Sequence, residues 1–160
     1  MLIPYSPSYF PVLRSWINDP YLLFQCAGPD FSFPLNEEQI LQYQNRHPDR
    51  RLYLGVRNDQ MPFAFGEIIP QSVGSVRLAR LLVGEAGSRG KGWGESFVKE
   101  LLAEAKANFK AHTIDLFVLR ENLAAIRCYS KAGFSLVEVE GLVLPHGGKT
   151  YQVLKMRLRS

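Results

Sequence analysis

The chain has 160 residues with 46% hydrophobic and 21% charged side chains, enough apolar material for one packed core and too much for a disordered segment. Its net charge of +4 is compatible with an anionic ligand but too small to argue for nucleic acid. No apolar run reaches the length of a membrane span, and only Cys26 and Cys128, with His47, His112 and His146 scattered, stand as soft ligands, so no metal spacing is present.

In chain order, Ser6-Pro7 opens a first helix, with Ser6 as N-cap and Tyr9, Val12, Leu13, Trp16 and Ile17 on one face. Leu22 to Leu35, broken by Gly28, Pro29 and Pro34, reads as an apolar loop. Asn36 caps a second helix, with Gln39 in the capping-box position and Pro48 beyond its end. Strands follow at 51–56, 61–69 and 75–83. The 84–94 segment holds five glycines and reads as a loop. A helix over 95–109, a strand over 113–119, a short helix over 122–131 closed by Gly133, and strands over 134–144 and 151–158 complete a mixed α/β pattern. No linker or repeat divides it, so one domain over 1–160 is expected.

The glycine loop carries the strongest local signal. Backbone without side chains approaches a ligand closely, the following helix offers unpaired N–H groups, and Arg89 and Lys91 add positive charge. A polyphosphate is the natural guest; a glycine turn with no ligand is the alternative. A P-loop would need glycine at 85 and a hydroxyl at 92, where Glu85 and Gly92 stand. A dinucleotide fingerprint would need glycine at 95 or 97, where Glu95 and Phe97 stand.

What remains is Arg89-Gly90-Lys91-Gly92-Trp93-Gly94, an Arg-x-x-Gly-x-Gly string, followed by Asn122-Leu123-Ala124-Ala125-Ile126-Arg127-Cys128-Tyr129-Ser130-Lys131-Ala132-Gly133-Phe134. Together these resemble the two signature motifs of the GNAT superfamily of N-acetyltransferases. The run from Leu82-Val83-Gly84-Glu85 onward is most similar to the branch containing ribosomal-protein N-terminal acetyltransferases and some polyamine acetyltransferases.

That resemblance implies a GNAT-like single domain. Its seven-stranded mixed sheet is splayed at the middle and flanked by about four helices, and Met1 to Tyr5 supplies a first strand that the pattern alone does not reveal. It implies acetyl-CoA as cosubstrate and no metal. Backbone from Gly90 through Gly94, with Arg89, Lys91 and Trp93, would hold pyrophosphate; Leu82-Val83 and Asn122 would hold the pantetheine arm. The acceptor would be a small amine or a protein N-terminus. Nucleic acid and membrane are not expected partners, a homodimer is compatible, and cytoplasmic residence is expected. A GNAT-fold module that binds CoA without turnover is the competing class.

Tyr129 shares a helical face with Asn122 and Ala125; the residues alone favour a core aromatic, and the resemblance makes it the acid candidate. Glu67 is a carboxylate that alternation places with Phe63, Phe65 and Ile69, either where that face meets solvent or held there as a base. Arg80, by the same alternation, joins Val76, Leu78 and Leu82, either paired with a carboxylate or a ligand or lying as a snorkelling rim residue. Phe24, Gly28 and Phe31, with their neighbours, would form a lid over the acceptor.

Overall fold

The computed structural model describes residues 1–84 and 90–160. Chain order is β1 (Leu2–Pro4), α1 (Phe10–Trp16), α2 (Pro20–Ala27), α3 (Glu37–Arg46), β2 (Arg51–Val56), β3 (Pro62–Ser72), β4 (Ser75–Val83), α4 (Trp93–Asn108), β5 (Thr113–Leu119), α5 (Leu123–Ala132), β6 (Ser135–Val137), β7 (Val143–His146) and β8 (Lys149–Arg159). Short 3₁₀ turns at Pro7–Tyr9 and Gly28–Asp30 precede α1 and follow α2. No helix among the described residues is long and apolar enough to cross a membrane.

The mixed α/β class stands, with five α-helices where about four were expected. The sheet runs β1-β2-β3-β4-β5-β8-β6, with β7 also on β8, which makes eight strands. All pairings are antiparallel except β4 with β5. That parallel pairing runs from Ser75↔Thr113 to Leu78↔Leu116 and stops, although both strands continue. Beyond it β4 and β5 part, and the gap between them positions everything that follows.

Two apolar cores lie on opposite sheet faces. One joins α4 and α5 to the sheet through Phe97, Val98, Leu101, Ile114, Leu116 and Met156. The stripe Phe97, Val98, Leu101, Leu102 and Ala105 recurs at helical spacing, which is why α4 forms and which face it buries. The second core lies under α1–α3 and uses Leu13, Trp16, Leu23, Ile40, Leu54 and Phe65. At its edge Gly84 lies so close to the Trp16 ring that a Cβ there would come within 1.9 Å of it, so only glycine lets α1 pack onto the end of β4.

Several local expectations are corrected. Ser6 makes no side-chain cap bond; its hydroxyl pairs with that of Ser8. Residues 22–27, the first part of the expected loop, belong to α2, because Asp19 accepts from the Leu22 N–H at 2.8 Å and Pro20 presets the first turn. Gln39 does accept its place at Asn36, whose Oδ1 takes the Gln39 N–H at 2.9 Å. Its own side chain, however, turns outward to bond Ser32 and Pro34, tying down the α2–α3 connection. The expected strand over 134–144 is two strands on the same neighbour, broken between Val137 and Val143 around the positive-φ Gly141.

Bulges overturn two face assignments. Gly55 pairs with Ala64 but Val56 with Pro62, which leaves Phe63 as the added residue. Phe63 therefore packs on Trp93 and Phe97 in the α4 core, while Phe65 stays under α1–α3. Likewise Phe65 pairs with Leu82 and Glu67 with Ala79, so β4 carries an added residue there. Arg80 adopts φ 54 in that bulge and turns, with Leu82, to the face opposite Val76 and Leu78.

Candidate active site

The parted strands open a cleft of about 470 Å³. One wall is β4 from Leu78 to Val83, and the facing wall is Phe117 and Val118 of β5 with the inner side of α5. Gly90, Gly92 and Gly94 lie at the end where α4 begins, and Leu22, Gln25 and Cys26 of α2 close another side.

The glycine end is shaped for an anion. Gly92 is the N-cap of α4 at φ 81, a left-handed geometry that glycine adopts without penalty, and no side chain caps the helix there. A Cβ at Gly90 or Gly92 would meet no protein atom within 4 Å, so the backbone faces open space. The first-turn N–H groups and the positive end of the helix dipole point into that space. Glu95, a carboxylate in the same turn, is drawn to Lys99 at 3.0 Å. Leu82, Val83, Gly90, Gly92, Gly94 and Asn122, all expected to hold the cofactor, do line the cleft. Lys91 is exposed beside it, Trp93 turns its ring inward to Phe63, and Arg89 lies outside the described residues.

On the α5 wall, Asn122 caps the helix, its Oδ1 accepting the Ala125 N–H at 3.3 Å. One turn on, Ala125 and then Tyr129 face the cleft, as the spacing requires. Tyr129 is 8% exposed, and among the described residues no group hydrogen-bonds its hydroxyl. Burial, with Cys128 and Cys26 adjacent, pushes the phenol well above its ordinary value, so it stays protonated. Burial likewise raises the Cys26 thiol to about 12 against the opposing pull of Arg80, which leaves it no thiolate character at neutral pH. Arg127 and Lys131, one turn apart on α5, add two cations to the cleft wall. The sequence reading missed them, although their i,i+4 spacing on the signature helix was the available signal.

Glu67 is not brought into the cleft. It is fully buried behind β4. Its Oε1 accepts from the Tyr43 hydroxyl at 2.9 Å and lies 3.4 Å from Arg80 Nε, while Oε2 is buried without a partner. Burial raises the Glu67 carboxyl above the ordinary glutamate value, and Arg80, Tyr43 and Arg50 oppose it. Arg80 links this network to the cleft: it lines the wall and donates to Asp30 at 2.7 Å. Its guanidinium lies 4.4 Å from the Tyr43 ring centroid and 5.3 Å from that of Phe31. Arg80 is thus buried and paired with carboxylates, the first of its two expected readings, rather than a rim residue.

The expected lid residues lie elsewhere too. Phe24 stacks on His146 at 4.4 Å and packs on Tyr151, joining α2 to the β7–β8 hairpin. Gly28 abuts Leu144, and Phe31 packs edge-on against Tyr43. None of the three lines the cleft; the α2 residues that do are Leu22, Gln25 and Cys26. They share a face of a helix that the sequence reading took for loop, which is why they were missed.

A parallel pair that parts mid-sheet, with a glycine-capped helix start at the gap, gives this mixed α/β fold a cleft suited to an anionic ligand. The profile of the GNAT acetyltransferase family matches residues 11–134, and the chain belongs to that family. It is therefore an acyltransferase of the N-acetyltransferase type. Solved structures share the fold. Spermidine N-acetyltransferase from Vibrio cholerae, in complex with CoA and spermine, superposes with a TM-score of 0.80 at 18% identity, covering 99% of this chain and 94% of that one. Ribosomal-protein-alanine N-acetyltransferase from Brucella melitensis gives 0.77 at 20% identity, covering 100% and 99%. A candidate phosphinothricin N-acetyltransferase gives 0.77 at 17%, covering 99% and 97%.

Proposed function

We propose that this protein transfers the acetyl group of acetyl-CoA to a primary amine by direct attack within the β4–β5 cleft. One observation carries the reading: the cleft joins an open, uncapped helix start at Gly90–Gly94 to a buried, protonated, unbonded phenol at Tyr129. Phosphate groups would rest on the N–H groups around Gly92 and α4, and the pantetheine arm between Leu82-Val83 of β4 and Asn122. The bound thioester supplies the acetyl group and a thiolate leaving group.

Within this site Tyr129 is protonated at Oη at neutral pH and so is available to hydrogen-bond and protonate the departing thiolate, while the proton affinity raised by burial works against full transfer. Its hydroxyl makes no competing bond that would have to break first. The roles expected of Phe24, Gly28 and Phe31 become support of α2 and of Arg80. Glu67 acts as a positioning residue, fixing Arg80 in its strained bulge at the cleft wall. The incoming amine loses its proton to water at the open mouth. Free thiols at Cys26 and Cys128 fit a reducing, cytoplasmic setting.

Release of free thiol from acetyl-CoA on adding a primary-amine panel tests the reading. Amine-dependent release is expected. CoA binding with no release for any amine would instead favour the silent-module reading.

A further inference from the structure

On the α1–α3 side of the sheet, the α1–α3 core includes no residue of β5 or β8 among those described. Register sets five side chains together on that uncovered part. Arg77 pairs with Asp115, Asp115 with Arg157, and Phe117 with Lys155, while the alternate residues Val76, Ile114, Leu116 and Met156 belong to the α4 core. Asp115 is fully engaged: Arg157 donates to its two oxygens at 2.6 and 3.0 Å, and Lys155 lies 3.6 Å away.

Arg77, although directly across from Asp115, has no ion pair among the described residues, and its Nε is buried without an acceptor. Its guanidinium lies 5.3 Å from the centroid of Phe117, and Lys155 Nζ lies 5.9 Å from the same ring. Phe117 is 39% exposed and forms part of the cleft wall. Two cations therefore flank an aromatic platform at the cleft, one of them with an unmet donor. An unpartnered buried donor costs free energy that an anionic ligand would recover.

We infer that the acceptor amine carries an acidic group, a carboxylate or phosphonate, which lies over Phe117 and is held by Arg77 and Lys155. The inference rests on the transferase reading above and names its substrate class. Three cations against one carboxylate on this face would repel a polyamine. Burial lowers the proton affinity of Arg77, and the nearby charges of Arg50 and Arg80 lower it further than Glu67 and Tyr43 restore it, a balance that a bound anion would shift back.

The test compares matched acceptors under saturating acetyl-CoA: L-glutamate against L-glutamine, L-phenylalanine against L-phenylalaninamide, and spermidine. Each is run on the wild type, Arg77→Gln and Arg77→Lys. In at least one pair the acid-bearing member is expected to exceed its partner in kcat/KM by about tenfold, with spermidine poorest. Arg77→Gln should bring that ratio near one at unchanged CoA affinity, and Arg77→Lys should retain part of it. The unchanged CoA affinity shows that each variant is folded. Preference for the amide or for spermidine, or a ratio that Arg77→Gln leaves intact, would overturn the inference. CoA titration separates the failures: no CoA binding removes the transferase reading and this inference together, whereas CoA binding without acid preference removes this inference alone.

Discussion

Tyr129 and Glu67 looked alike in the sequence, each a single ionisable group among apolar neighbours, and the structure separates them by where their oxygens point. Tyr129 packs its ring on Phe134, while its hydroxyl opens on the cleft with no hydrogen-bond partner among the described residues, so the hydroxyl contributes little to folding. Tyr129→Phe should lower kcat by about a hundredfold while acetyl-CoA KM and thermal stability stay nearly unchanged. Equal losses in kcat and in melting temperature would mark Tyr129 as a structural tyrosine. Glu67 is enclosed behind β4, where burial outweighs its partners and raises its pKa in the folded state above 4.5. The folded protein then binds this proton more tightly than the unfolded chain does. Its contribution to stability is complete below the unfolded value and declines as pH rises through the folded one. Glu67→Gln should flatten that decline, measured by denaturant unfolding across the weakly acidic range. An unaltered slope would mean that Glu67 titrates as an ordinary carboxylate. Its partners Arg80 and Tyr43 come from β4 and α3, with Arg50 reaching Tyr43 from the connection before β2, and no local pattern in the sequence could have joined the three to Glu67.

At the scale of elements, the helix-start chemistry at Gly92 was legible because glycine spacing is a local property, and so was the α5 face bearing Asn122, Ala125 and Tyr129. Gly92→Glu should abolish measurable CoA binding, since it forces an L-residue into a left-handed N-cap, at about 1–2 kcal/mol, and puts a carboxylate where phosphate would rest. Gly141→Glu, at φ 75 with equally open space but in the β6–β7 break, is the matched control and should bind CoA normally. Similar losses in both variants would trace the effect to folding. The apolar content of α2 hid its helical character, yet its cap was readable at Asp19-Pro20. Asp19→Ala should cost about 1 kcal/mol in unfolding free energy and raise acceptor KM, because α2 carries Gln25 and Cys26 to the cleft. A rise in acetyl-CoA KM instead would place α2 on the cofactor side. The bulges at Phe63 and Arg80 were not legible, since strict alternation is all that a lone strand displays, and an added residue shows only against its partner strand.

For the whole molecule, the decisive feature is where β4 and β5 cease to pair. Both strands were recognised from residues 75–83 and 113–119, but the length of their pairing depends on side chains brought together from α2, α4 and α5. The same parting leaves backbone donors at the start of α4 at one end of the cleft and Phe117, flanked by Arg77 and Lys155, on its β5 wall. Under the proposed function, phosphate recognition and acceptor choice would both depend on that one topological event. The family motifs cover the first and say nothing about the second, so the expectation of Phe24, Gly28 and Phe31 as a lid rested on the aromatic content of their segment alone, and none of the three lines the cleft.

The claim on which the rest depends is that this cleft holds a CoA thioester. Thermal unfolding with acetyl-CoA, free CoA, ATP and NAD in parallel tests it most directly, because a ligand bound only to the folded state raises the melting temperature in proportion to its occupancy. The account predicts a rise with the two CoA species, lost in Gly92→Glu, and none of comparable size with ATP or NAD. No rise with CoA, or an equal one with ATP, would contradict it.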